Sequence, residues 1–108
     1  MANAIIEISV TEEDLKNLLI TAVEGGIRYW AEVKNYDYKK GTVTVREEGG
    51  SWIKVTTATI AKGLRLCSKM PADEGGWAFS MWLRDRIGDA QAADNIFQFG
   101  VLGELKYG

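Results

Sequence analysis

A chain of 108 residues, 46% apolar and 26% charged, has the length and composition of one globular domain over residues 1–108, neither disordered nor fibrous. A formal charge of −2 argues against a nucleic-acid binder that works by neutralising phosphates, so nucleic acid is not an expected partner. One cysteine excludes an internal disulfide framework, and the lack of histidine excludes His–Cys zinc sites and imidazole acid–base chemistry.

Ala4 to Val10 alternates, with Ile6, Ile8 and Val10 on one face, and predicts a strand. Thr11-Glu12-Glu13-Asp14 has the form of a capping box and opens a helix with an apolar stripe of Leu15, Leu18, Leu19, Ala22 and Val23. Gly25-Gly26 ends it, where a residue free to take positive φ is expected. From Ile27 to Thr56 the period becomes two. Trp30–Tyr38, Thr42–Glu48 and Ser51–Thr56 read as an antiparallel meander turning at Lys39-Lys40-Gly41 and Gly49-Gly50. Val43, Val45, Ile53 and Val55 point inward, and Trp30, Glu32, Lys34, Tyr36 and Tyr38 share a face. Trp30 and Val23 are expected to be buried, with Lys39 and Lys40 exposed at a hairpin tip.

The second half reads as helical. Thr57 or Thr59 caps a helix bearing Ile60, Leu64 and Cys67, and Pro71–Gly76 is a loop. Trp77–Ile87 is a helix burying Trp77, Met81 and Trp82. Asp89 caps a last helix with Ala93, Ile96, Phe97, Gly100 and Val101 at helical spacing. The expected fold is α+β, an antiparallel sheet of three to four strands packed with three to four helices. The first residues show no basic stretch followed by an apolar core, and no apolar run approaches about 18 residues, so a cytoplasmic location with no membrane contact is expected. Four tryptophans and an apolar tail predict a homo-oligomer, a dimer in the first instance.

No GxxxxGK(S/T), GxGxxG or GxSxG motif occurs, and the adjacent acids Glu12-Glu13 and Glu47-Glu48 read as solvated. A non-enzyme without cofactor is expected. Cys67, on an apolar face with no histidine to activate it, reads as a core thiol. The segment from Glu24 to Trp30 has two readings: a helix cap followed by a core aromatic, or a ligand site. In the second, Gly25 and Gly26 offer backbone N–H groups to an anion, Arg28 forks onto it, and Tyr29 or Trp30 stacks on a planar base. Gly75-Gly76 before Trp77 repeats this chemistry at a helix start, with Arg84 or Arg86 as alternative cations. The aromatic tail predicts that Tyr107 docks on the domain or on a second subunit.

Two motifs, EGGxxYW (Glu24, Gly25, Gly26, Tyr29, Trp30) and DxIxQFxxxGExxYG (Asp94, Ile96, Gln98, Phe99, Gly103, Glu104, Tyr107, Gly108), together resemble a family of small phage and prophage proteins. The TExDL start at Thr11 is similar as well. The resemblance implies a phage accessory protein of the host cytoplasm that counters host antiviral defence. It does so either by binding and sequestering a nucleotide-derived immune signal, such as a cyclic nucleotide, without cleaving it, or by blocking a defence protein such as a CRISPR effector through direct contact. Candidate ligand residues are Gly25, Gly26, Arg28, Tyr29, Trp30, Gly75, Gly76, Trp77 and Tyr107. If the terminal helix packs beside the first, Glu24, Trp30, Glu104 and Tyr107 share one site. A third alternative is a carboxylate–metal enzyme using Glu24, Asp94 and Glu104.

Overall fold

Thr11 and Asp14 start the first helix by capping each other. In the computed structural model of the chain, which describes residues 8–86 and 88–108, Thr11 Oγ1 accepts from the Asp14 N–H at 3.0 Å. Asp14 Oδ2 in turn accepts from the Thr11 N–H at 3.1 Å. Helix α1 (Glu12–Gly25) buries the predicted stripe of Leu15, Leu18, Leu19, Ala22 and Val23. Its end differs from expectation. Gly26 has φ −118°, so glycine is needed there for space and not for a left-handed backbone: a Cβ would lie 2.6 Å from the Ala90 carbonyl oxygen.

Three antiparallel strands follow in the order β1 (Ala31–Asp37), β2 (Thr42–Glu47) and β3 (Ile53–Val55). Val43 and Val45 are buried from β2, and Val55 lies opposite Val43. Ile53 lies opposite Val45 yet stays 40% exposed on the short edge strand, so its predicted burial is not met. The expected aromatic row also breaks. The β1–β2 register slips between Lys34 and Asp37, where Asn35 takes φ +52°. The alternation of Glu32 and Lys34 therefore does not carry through to Tyr36, whose hydroxyl instead donates to Glu24 on α1 at 2.5 Å. Trp30 precedes the strand in a turn and is buried. Lys39 and Lys40 are exposed at the hairpin tip, where Asp37 Oδ1 accepts both of their backbone N–H groups at 3.0 Å. Most of the strand expected over 4–10 lies outside the described residues, and Ile8–Val10 joins no strand.

The second half holds α2 (Thr57–Ser68), a 3₁₀ turn at Ala72–Glu74, α3 (Trp77–Asp85) and α4 (Ala90–Leu102). Among the described residues the architecture is thus α+β, a three-stranded antiparallel sheet with four helices. None of the described helices is long and apolar enough to cross a membrane. On α3 the buried residues are Ala78 and Trp82, whereas Trp77 and Met81 are half-buried. The helix ends before Ile87, which lies outside the described residues.

Helix α4 is the axis of the molecule. Asp89 caps it through the Ala92 N–H at 2.7 Å, and every residue from Ala92 to Gly100 is buried. A helix buried all round needs neighbours on every side, and α1, α2 and α3 all pack on it. The α2 crossing is the tightest. A Cβ on Gly63 would stand 2.2 Å from the Ile96 carbonyl oxygen, and one on Gly100 would stand 2.4 Å from that of Thr59. Two glycines, one from each helix, let the backbones touch. Gly63→Ala and Gly100→Ala should each cost about 1–3 kcal/mol in urea denaturation, because backbone cannot yield as a side chain can. A neutral result at both would mean that the helices are further apart.

Candidate functional site

One polar stripe runs along the otherwise apolar α4: Gln91, Asp94, Asn95 and Gln98, at three- and four-residue steps. Asp94 is only 4% exposed. A carboxylate so placed must be hydrogen-bonded, and three donors reach it. Trp30 Nε1 donates to Oδ1 at 2.8 Å and Gln98 Nε2 to the same oxygen at 3.0 Å, while the Tyr29 hydroxyl donates to Oδ2 at 2.6 Å.

Gln98, fully buried, passes the connection on to the tail. Its Oε1 accepts the backbone N–H groups of Lys106 and Tyr107 at 3.0 and 2.8 Å, and its Nε2 donates to the Tyr107 carbonyl at 2.9 Å. The Tyr107 ring stacks on Trp30 with centroids 5.2 Å apart and planes 7° from parallel. Its hydroxyl donates to Glu47, which also pairs with Lys106 at 2.8 Å. Hydrogen bonds from Lys106 first and Tyr107 second hold the Glu47 carboxyl below its usual range. The two sequence motifs therefore meet through Asp94 and Gln98. Of the four residues expected to share a site, Trp30 and Tyr107 do. Glu24 is bonded to Tyr36, and Glu104 is exposed beyond the end of α4, so Glu24, Asp94 and Glu104 are not assembled around a metal position.

In front of this network opens a cavity of about 520 Å³, bounded by the end of α1, the start of α3, the stripe face of α4 and the tail. Gly25, Gly26, Tyr29 and Trp77 from the candidate set line it, with Gln91, Asp94 and Asn95. Asn95 is 5% exposed, and no hydrogen bond among the described residues involves its carboxamide. Sequence reasoning missed Asn95 and Gln91. The available signal was polar residues at helical spacing inside a segment read as apolar.

The other candidates are placed elsewhere. Trp30 and Tyr107 lie behind Asp94. Arg28 folds back to donate to the Val23 carbonyl at 3.0 Å, and Arg84 is exposed on α3. Arg86 donates to the Ser9 carbonyl at 2.7 Å, pairs with Asp14 at 3.5 Å and lies over the Trp82 ring. The N–H groups of Gly26, Gly75 and Gly76 are taken by the carbonyls of Ala22, Ala72 and Pro71. Among the described residues no cationic side chain lines the cavity, and these glycine N–H groups are not free to cradle a phosphate. Cys67 is buried and donates to the Gly75 carbonyl at 3.3 Å; burial pushes its thiol up to about 11, which suits a core thiol and not a nucleophile.

The reasons for expecting a dimer also have answers within one chain. Trp30 and Trp82 are buried and the tail is docked on its own domain. No protein-family model, curated protein or solved structure matches this chain.

Two tests follow from the network. Although Tyr29 is 60% exposed, its hydroxyl points inward, and loss of solvent there, followed by its bond to Asp94, raises the phenol from 10.0 to about 12. The folded state keeps a proton that the unfolded chain loses, so this stabilisation is complete below pH 10 and disappears as pH rises through 12. Tyr29→Phe should flatten that alkaline loss in urea titrations. Tyr36, raised by burial and by Glu24, contributes to the remainder together with Cys67, Lys106 and Tyr107, which are raised as well. Gln98→Leu removes the acceptor for two tail amides and should cost about 1–3 kcal/mol unless the tail detaches. Faster hydrogen exchange at Lys106 and Tyr107 would report the detachment, and unchanged exchange together with unchanged stability would show that Gln98 does not hold the tail.

Proposed function

We propose that this chain is a non-catalytic binding module that holds a small planar ligand in the cavity beside Asp94. In the phage setting implied by its end motifs, the ligand is a nucleotide-derived immune signal of the host, sequestered without cleavage. The observation that carries the reading is the convergence of Tyr29, Trp77 and the unpartnered Asn95 carboxamide on one cavity. Aromatic faces with a few polar groups are how small-molecule sites are built. Tyr29 holds its proton far above neutrality and gives it to Asp94, so toward a ligand it offers a ring face and an acceptor oxygen and not a base for hydrolysis. Since the lining carries no cation, the phosphates of such a ligand stay in solvent at the rim.

Thermal denaturation against cyclic mononucleotides, cyclic dinucleotides and ADP-ribose isomers tests this. A true ligand at 100 times its Kd should add about 2.7 kcal/mol. It should be recovered intact after the protein is denatured, and Trp77→Ala should abolish the gain. A cleaved product would make the chain an enzyme, and no stabilisation by any of the compounds would reject the binding reading.

A second reading, blockade of a host defence protein, is favoured by one observation on the outer sheet face. Trp52 is 37% exposed there, with Lys34 Nζ 4.1 Å and the Arg46 guanidinium 4.4 Å from its ring. Aromatics flanked by cations are common anchors of protein interfaces. Co-purification of a host protein that is lost in Trp52→Ala would favour it.

A further inference from the structure

Resting on the reading that the cavity holds a ligand, we infer that it takes an amino-bearing heterocyclic base of the adenine or cytosine kind, read by Asn95 and Asp94, and that it takes the base whether or not a phosphate is attached.

Asn95 is 95% buried by its 5% exposure, lines the cavity, and has no partner for its carboxamide among the described residues. A carboxamide offers two donors and one acceptor. Asp94 beside it is an acceptor. Its Oδ1 already takes two hydrogen bonds and its Oδ2 only one, from Tyr29, which leaves Oδ2 with acceptor capacity. Gln91, one turn before them, brings a second carboxamide to the same wall. The wall thus presents acceptors next to an adjacent donor.

Its complement is an exocyclic amine beside an unprotonated ring nitrogen. The amine gives hydrogens to Asp94 and to the Asn95 oxygen, and the ring nitrogen accepts from the Asn95 NH₂. Adenine and cytosine carry such an edge. Uracil and hypoxanthine put a carbonyl where the amine would be, and a carbonyl facing a carboxylate leaves both unpaired. Tyr29 and Trp77 supply π-faces for the ring, and the cavity's roughly 520 Å³ lies within the common range for small-ligand sites. With no cation in the lining, a phosphate finds nothing to pair with. Affinity then comes from the base and does not depend on salt.

Isothermal titration of the full chain with adenosine, cytidine, inosine, uridine and AMP, at low and at high salt, decides the matter. Adenosine and cytidine should bind at least about 10-fold more tightly than inosine and uridine, the scale of a bidentate amide–base pair. AMP should bind no tighter than adenosine, with no salt dependence. Asn95→Ala should cut the adenosine-over-inosine preference severalfold, leaving only the share that Asp94 supplies. Asn95→Leu, of similar size but with no hydrogen-bonding group, should cut it too, and is the variant to rely on if Asn95→Ala fails to fold. Inosine equal to adenosine, or AMP far tighter than adenosine with a steep salt dependence, would overturn the base reading while leaving a nucleotide site in place. If none of the five compounds nor any cyclic nucleotide binds, the ligand reading itself falls, and this inference with it.

Discussion

A carboxylate with 4% exposure in the middle of an apolar helix cannot be left to itself, and meeting its needs organises much of this molecule. Asp94 draws the indole of Trp30, the phenol of Tyr29 and the amide of Gln98 onto one residue, and thereby ties three parts of the chain together. The turn after α1 is fixed from one side. The tail is fixed from the other, because Gln98, once oriented by Asp94, has its remaining positions aimed at the Lys106 and Tyr107 backbone. Networks of this kind specify one arrangement, because a half-satisfied version is worse than none.

The same constraint explains the cavity. Asp94 and Gln98 turn part of the polar stripe inward to the network, and Gln91 and Asn95 face the space that remains. Gly26 keeps the end of α1 close to Ala90, so the space is shut on that side by backbone and not by a movable side chain. On the opposite side of α4, the Gly63–Gly100 crossing holds α2 at backbone contact. The axis helix is therefore positioned by close packing on one flank and by hydrogen bonds on the other.

Local signals carried a large part of this into the sequence. The Thr11–Asp14 capping box, the α1 stripe, the alternation of Val43 and Val45, and the Asp89 cap each depend on neighbours within a few residues, and each is where it was expected. What was not legible depends on partners distant in sequence. Nothing near Asn35 announces the bulge that turns Tyr36 toward Glu24. Nothing near Gly63 says that it meets Ile96. The candidate site was half legible for the same reason. Aromatics beside glycine pairs pointed to Tyr29 and Trp77, but the arginines were assigned by type alone, and the structure commits Arg28 and Arg86 to backbone carbonyls. Asn95 was hidden in a helix whose apolar residues dominated the pattern. The joining of the two end motifs was legible as a possibility, and it took Gln98 to give it a mechanism.

The tail has a kinetic meaning beyond its docking. Leu105 and Gly108 form part of the cavity wall, and the segment between them is held chiefly by three hydrogen bonds to one side chain, one ring stack and the contacts with Glu47. A wall fastened so locally opens by sub-global fluctuation, at a free energy well below that of unfolding the helices behind it. Release of a few residues then removes one wall of an already open cavity, while the rest of the fold stays intact. The shape of the cavity and the stability of the helices are therefore set by separate contacts, and a change at Glu47 or Tyr107 falls first on the cavity wall.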